Sequence, residues 1–310
     1  MYNLYAAIWR VSGRRQIVLI LLSFAIAGLA AAPLSYQKDI INALAAGDLE
    51  PDRLFRLGAG MMAVIALSLA LKWLLGYRAS VLGEDIIRLL RTLVYSGSVN
   101  NGASAGGINI PFGTLTTVVS AESEELGKFT GSAFCEPVVQ IGTLISVIGY
   151  IASTQPVLGT IALAMIAPQI ILVMITQRPV NNLVAERVRI LRQSTNLITQ
   201  NQIRELQQSV LDDFDAIYDT RRRIFIWKLS TKFLVSILNG VGTIAVLMFG
   251  GYMVIQGRTD VGTVVAATIG LGRIQGPTAF LIAFYRQVSA TRVKFDLLRS
   301  VAQQPGGATP

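Results

Sequence analysis

Near residue 250 the sequence has two apolar runs separated by a short polar turn, and this pattern leaves few folds open. The first run ends at Ile255, the turn covers residues 256–260, and the second run extends from Val261 to about Ala283. A helix needs roughly 20 apolar residues to cross a bilayer. The pattern therefore predicts an antiparallel pair of membrane helices, the second of which continues as a basic helix.

Other apolar runs precede this hairpin. They cover about residues 17–32, 57–75, 133–152 and 157–175, and the run that ends at Ile255 begins at about Phe233. Long polar stretches with a helical pattern follow the second and fourth runs. The sequence therefore predicts an all-α membrane protein with six transmembrane helices and long helical extensions. We expect residues 1–302 to form the six-span domain and residues 303–310 to form a flexible linker or tail.

The first run has a second interpretation. Arg10, Arg14 and Arg15 precede it, and three alanines at positions 30–32 follow it. A basic start, a short apolar centre and a small-residue end are also typical of a cleaved signal peptide. The alternative is a first spanning helix that continues beyond Pro33.

Composition excludes several kinds of site. Hydrophobic residues make up 52% of the chain and charged residues only 15%, whereas soluble domains carry about 25% charged residues. There is no histidine and one cysteine, so neither a histidine proton shuttle nor an internal disulfide is available. The net charge of +9 does not indicate a nucleic-acid partner, because the basic residues follow the predicted membrane topology.

The basic residues predict the orientation. Of the 27 lysines and arginines, 21 lie in the N-terminal segment, residues 78–128, residues 178–232 and the C-terminal segment, and four lie in the connections on the opposite side. The positive-inside rule therefore places both termini in the cytoplasm. We expect an integral protein of a bacterial-type inner membrane.

The hairpin near residue 250 and the helix after it carry a family resemblance. The relevant positions are Gly251, Gly257, Val261-Gly262, Gly276-Pro277, Tyr285-Arg286-Gln287 and Phe295-Asp296-Leu297-Leu298. Their order and spacing resemble the last hairpin in the membrane domain of ATP-binding-cassette (ABC) exporters. The pattern of six spans and two long inner excursions extends this resemblance to about residues 17–298.

The resemblance implies a domain-swapped dimer, either a homodimer or a heterodimer with a similar chain, in which the fourth and fifth spans cross to the partner. It also implies two coupling segments that dock on ATPase domains. By position, these contain Gly113, Leu115 and Glu122 in the first excursion and Leu211, Asp212, Asp213 and Asp215 in the second. Val118 and Thr114 depart from the family pattern, and the second segment lacks its lysine. The alternative is that both segments are solvated turns.

The sequence lacks the residues of a nucleotide site. It contains neither a G-x-x-x-x-G-K-(S/T) phosphate loop nor an LSGGQ-like stretch. We therefore expect no enzymatic activity and no cofactor in this chain, with ATP and Mg²⁺ bound only by a separate or removed ATPase domain. The expected function is the membrane-spanning subunit of an ABC-type exporter. The alternative is an ATPase-independent secondary transporter or a membrane partner protein with the same fold.

Polar residues inside the predicted spans are the candidate substrate-pathway residues. They are Arg273, Glu136, Gln275 and Asn239. An unpaired charge near the middle of a span costs about 2.5–3.5 kcal/mol on insertion scales, so Arg273 is expected to face protein or a water-filled cavity. It either clamps two spans together or serves as a cation in the substrate pathway. Gly272 and Gly276 have the spacing that permits close helix packing.

Overall fold

A computed structural model describes residues 2–47, 50–102, 123–199 and 207–303. These residues form helices and contain no strand, which confirms the predicted all-α class. The helices are α1 (Tyr2–Leu29), α2 (Ala32–Ala46), α3 (Pro51–Gly102), α4 (Ser123–Ser132), α5 (Cys135–Thr154), α6 (Pro156–Thr199), α7 (Gln207–Ile255) and α8 (Val261–Gln303).

Five helical stretches within the described residues are long and apolar enough to cross a membrane, as expected of an integral membrane protein. They are Leu4–Ala46, Pro51–Leu93, Ser123–Thr154, Pro156–Arg187 and Leu211–Ile255. The predicted sixth span lies in α8, which has 43 residues but falls outside this set. Its apolar part is diluted by Arg273, Gln275, Pro277 and several glycines.

The chain divides into two compact units. The first comprises Met1–Gln155 and Thr259–Pro310, and thus holds α1–α5 and α8. The second comprises Pro156–Arg258, in which α6 and α7 pack against each other along their lengths. The fourth and fifth predicted spans therefore form a unit of their own.

In the first unit, α1 packs against α3 and α5, while α8 packs against α2 and α5. One apolar cluster joins α1, α4 and α8, with Phe129 completely buried at its centre. The Phe129 and Phe284 rings stack with their centroids 5.9 Å apart. A second cluster joins α1, α3 and α5 through Leu19, Leu82 and Val139, among others. Together these clusters fix the positions of the helices that carry the candidate site.

Glycines allow α3 and α4 to approach closely. A Cβ atom at Gly127 would lie 2.8 Å from the carbonyl oxygen of Gly83, and one at Gly131 would overlap the carbonyl oxygen of Ala79. By contrast, a Cβ atom at Gly272 or Gly276 would meet nothing within 4 Å. Gly127 and Gly131 of α4 therefore make close helix contacts in this unit, whereas Gly272 and Gly276 make none with the described residues.

The helix ends follow local signals in most places. Pro156 begins α6, and α7 ends at Ile255 as predicted. Gly47 and Gly257 adopt left-handed backbone conformations with φ of 70° and 69°. The first span is interrupted at residues 30–31, between α1 and α2, and Pro33 lies in the first turn of α2, where its missing N–H costs no hydrogen bond. The helix α3 continues to Gly102.

Candidate functional site: a polar cavity among apolar helices

The first unit contains a cavity of about 660 Å³ between α1, α2, α3, α5 and α8. Most of its walls are apolar, and they include Ile26, Leu69 and Val139. Within these walls lie the charged side chains of Lys72, Glu136 and Arg273 and the polar side chains of Ser68, Gln140 and Thr143. Burying charged groups within apolar helices costs free energy, so their presence here indicates a functional site.

Arg273 reaches the cavity from α8 and is partly buried. Its Nη1 donates a hydrogen bond of 3.2 Å to the carbonyl oxygen of Ala30, just beyond the end of α1. Carbonyl groups at a helix C-terminus lack partners within the helix, and the helix dipole there favours a cation. The guanidinium therefore caps the C-terminus of α1 through Nη1 and also lines the cavity.

Glu136 lies in the first turn of α5 and is also partly buried. The positive end of the α5 dipole favours a carboxylate at this position. Glu136 and Arg273 line the same cavity, but they make no ion pair with each other within 4.0 Å. The structure thus brings together two of the predicted pathway residues without joining them directly.

Lys72 lines this cavity but was not among the pathway residues predicted from the sequence. The signal lay in the spacing of polar residues along each helix. Ser68 and Lys72 are four residues apart on α3, and Glu136, Gln140 and Thr143 follow one another at intervals of four and three on α5. Residues three and four apart share one face of a helix. Both polar faces line the cavity.

The cavity has the chemistry of a site for an amphipathic anion. Two cations and one carboxylate give its lining a formal charge of +1, while the apolar walls can accept a hydrocarbon portion. Arg273 has further guanidinium donors beyond the Nη1 bond to Ala30, and Lys72 adds an ammonium group. Arg273 and Glu136 are partly buried, so their charges are less screened than in water.

The other two predicted pathway residues lie elsewhere. Gln275 is exposed and does not line the cavity. Asn239 belongs to the second unit, where its Oδ1 accepts a hydrogen bond of 2.7 Å from Gln169 Nε2. Gln169 is buried, so this bond satisfies a polar pair between α6 and α7.

The predicted coupling residues are only partly described. Gly113, Leu115 and Glu122 lie outside the described residues. Leu211, Asp212 and Asp215 are exposed and Asp213 is partly exposed, all near the start of α7. Within the described part of the chain, no group of three or more cysteine or acidic side chains is arranged to hold a metal ion.

Comparison with known proteins adds no family assignment. No model of a protein family matches the sequence, and a search of curated proteins finds no match.

Proposed function

We propose that this chain is the membrane-spanning subunit of an ABC-type exporter, working as a dimer and driven by ATPase domains that it does not itself contain. The observation that carries the proposal is the separate compact unit formed by α6 and α7. In the exporter arrangement that the sequence resembles, these are the two spans that cross to the partner subunit. A helix pair that packs chiefly on itself is suited to that exchange.

Helix length supports the same proposal. The helices α3, α6 and α7 contain 52, 44 and 49 residues. At about 1.5 Å per residue they extend on the order of 65–80 Å, more than twice the roughly 30 Å of a bilayer's hydrocarbon core. Helices of this length extend into the water phase, where in the exporter arrangement they transmit movement from the ATPase domains to the membrane pathway. A simple pore would not require such extensions.

The cavity in the first unit would then belong to the substrate pathway. Its lining combines Arg273, Lys72 and Glu136 with apolar walls, which suits an amphipathic substrate that carries negative charge. The chain would act in a bacterial inner membrane with both termini in the cytoplasm, as the distribution of lysine and arginine predicts.

The test is to purify the tagged full-length chain from its native membrane in mild detergent and to identify copurifying proteins by mass spectrometry. The proposal expects an ABC ATPase in stoichiometric amount and a dimer of six-span chains. Proteoliposomes that hold the complex should accumulate an anionic amphiphile only when ATP is supplied. Transport by the chain alone, driven by an ion gradient, would instead establish the secondary-transporter alternative.

A further inference from the structure

A second concave surface lies between α1 and α3 in the first unit and is separate from the polar cavity. We call it the α1–α3 groove. It has a volume of about 800 Å³ and is lined by residues 9–15 and Ile17 of α1 and by Leu82, Asp85, Ile86 and Leu89 of α3. None of these residues lines the polar cavity.

The groove has an excess of positive charge. Arg10, Arg14 and Arg15 line it, and Asp85 is the one acidic residue among its lining residues. Arg15 and Asp85 form an ion pair that joins the two walls. Among the described residues, neither Arg10 nor Arg14 has an acidic partner within 4.0 Å, and both are exposed. Two guanidinium groups are therefore left to bind an anion.

An exposed apolar stripe continues from these two arginines along α1. Arg10, Arg14, Ile17, Leu21 and Phe24 follow one another at intervals of four and three residues, which places them on one side of the helix. Ile17, Leu21 and Phe24 are 47%, 64% and 61% exposed. The stripe passes into the apolar stretch that is long enough to cross a membrane. This surface is positively charged at one end and apolar along the rest, which makes it complementary to a single lipid with an anionic headgroup.

We propose that the α1–α3 groove binds an anionic phospholipid, with its phosphate held by Arg10 and Arg14 and an acyl chain lying along Ile17, Leu21 and Phe24. Arginine binds phosphate oxygens through paired N–H donors, and basic pockets between membrane helices are suited to anionic headgroups. The Arg15–Asp85 pair holds the walls together and leaves the other two arginines to the lipid. A soluble phosphate compound has no hydrocarbon chain to pack against the apolar stripe.

The test is native mass spectrometry of the full-length chain in detergent, titrated with an equimolar mixture of short-chain phosphatidylglycerol and phosphatidylcholine. The wild type should bind phosphatidylglycerol preferentially. Each arginine near a membrane surface contributes enough that Arg10→Gln should reduce this preference about fivefold, and Arg10→Gln with Arg14→Gln about thirtyfold. Arg10→Lys with Arg14→Lys keeps the charge and should keep most of the preference.

Arg53→Gln with Arg56→Gln is the matched control, because it removes two exposed arginines of α3 that lie outside the groove. This pair should leave the preference unchanged. An equal loss in the control pair, or no loss in the Arg10 and Arg14 pair, would overturn the proposal. Inorganic phosphate is the second arm of the test. If millimolar phosphate displaces phosphatidylglycerol, the groove is a site for free anions and the lipid assignment is wrong.

Discussion

The Oδ1 atom of Asn42 accepts a hydrogen bond of 2.7 Å from the backbone N–H of Gly262 and so connects α2 to the first turn of α8. The N–H groups at the start of a helix have no partners within it, and a side-chain oxygen from another helix satisfies one of them here. Asp260 satisfies a second one, since its Oδ1 accepts from the Thr263 N–H at 2.7 Å. This connection holds the hairpin turn against the rest of the first unit.

Gly262→Ala is expected to destabilise the protein. The added Cβ atom would lie 2.5 Å from Asn42 Oδ1 and would overlap the carbonyl oxygen of Lys38. Overpacking of this kind costs about 1–3 kcal/mol, which should lower the thermal unfolding midpoint in detergent. Gly58→Ala is the control, because a Cβ atom there meets nothing within 4 Å and alanine favours the helix. Equal midpoints for the two variants would contradict the packing described here.

Acid should weaken the same connection through Asp260. Burial alone would raise the pKa of its carboxyl group, but hydrogen bonds from Asn42 and Thr263 and the charge of Lys38 outweigh burial and hold this pKa below its usual value. A group with a lowered pKa in the folded state stabilises the fold above its unfolded-state pKa, and this contribution is lost as the pH falls through the folded-state value. Between about pH 5 and pH 3, the wild type should therefore lose more thermal stability than Asp260→Asn does. Parallel pH profiles would show that Asp260 does not contribute.

Arg273→Ala is expected to abolish most transport while the dimer still assembles, because it removes a cation from the cavity. Arg273→Lys restores the charge but not the planar group with several donors, so its activity separates a requirement for charge from a requirement for paired hydrogen bonds. Substrate uptake into proteoliposomes measures the first effect, and size-exclusion chromatography measures assembly. If Arg273 only closes the end of α1, Arg273→Ala will lower the unfolding midpoint and leave uptake per folded dimer unchanged.

Lys72→Met tests whether the cavity acts as a whole, since methionine keeps the length of the side chain and removes its charge. We expect weaker uptake of anionic substrates, in the same direction as for Arg273→Ala, with no change in assembly. Arg53→Met on the same helix is the control, because Arg53 lies outside the cavity. Loss of uptake in both variants would point to a general effect of charge and not to the cavity.

Charge reversal at Asp212 and Asp213, by Asp212→Lys with Asp213→Lys, should weaken copurification with an ATPase subunit while membrane insertion is retained. Both residues lie near the start of α7, in the predicted second coupling segment. Pull-down from detergent extracts measures the association. Asp52→Lys with Glu50→Lys, near the start of α3, is a control for the added charge. An unchanged amount of bound ATPase would remove these aspartates from the docking surface.

The sequence predicted helix ends well where a local signal decides them. The polar turn at residues 256–260 is such a signal, since α7 ends before it and α8 begins after it. It predicted the cavity only in part. Arg273 was identified because a single charge in an apolar run is conspicuous, whereas Lys72 was not identified. The spacing of Ser68 and Lys72 indicates a polar face on α3, but which helices pack against that face cannot be read from a local pattern.

The packing glycines illustrate the same limit. The spacing of Gly272 and Gly276 predicts close helix contact, yet a Cβ atom at either position would meet nothing within 4 Å. Close contact with α3 is made instead by Gly127 and Gly131, which lie in a polar stretch. Their partner backbone lies far away in the sequence, since Gly83 is 44 residues before Gly127 and Ala79 is 52 residues before Gly131. A motif on one helix predicts that the helix can approach another, but not whether a second backbone is present to be approached.

The contact between α3 and α4 also predicts an evolutionary signature. Where a Cβ atom would meet a carbonyl oxygen of the opposite helix, substitution by any larger residue is selected against in every lineage that keeps the fold. Homologues that have diverged beyond recognition elsewhere should therefore retain glycine at three positions, those of Gly83, Gly127 and Gly131. One glycine on a membrane helix, followed by two glycines four residues apart on the next, polar helix, would identify such relatives.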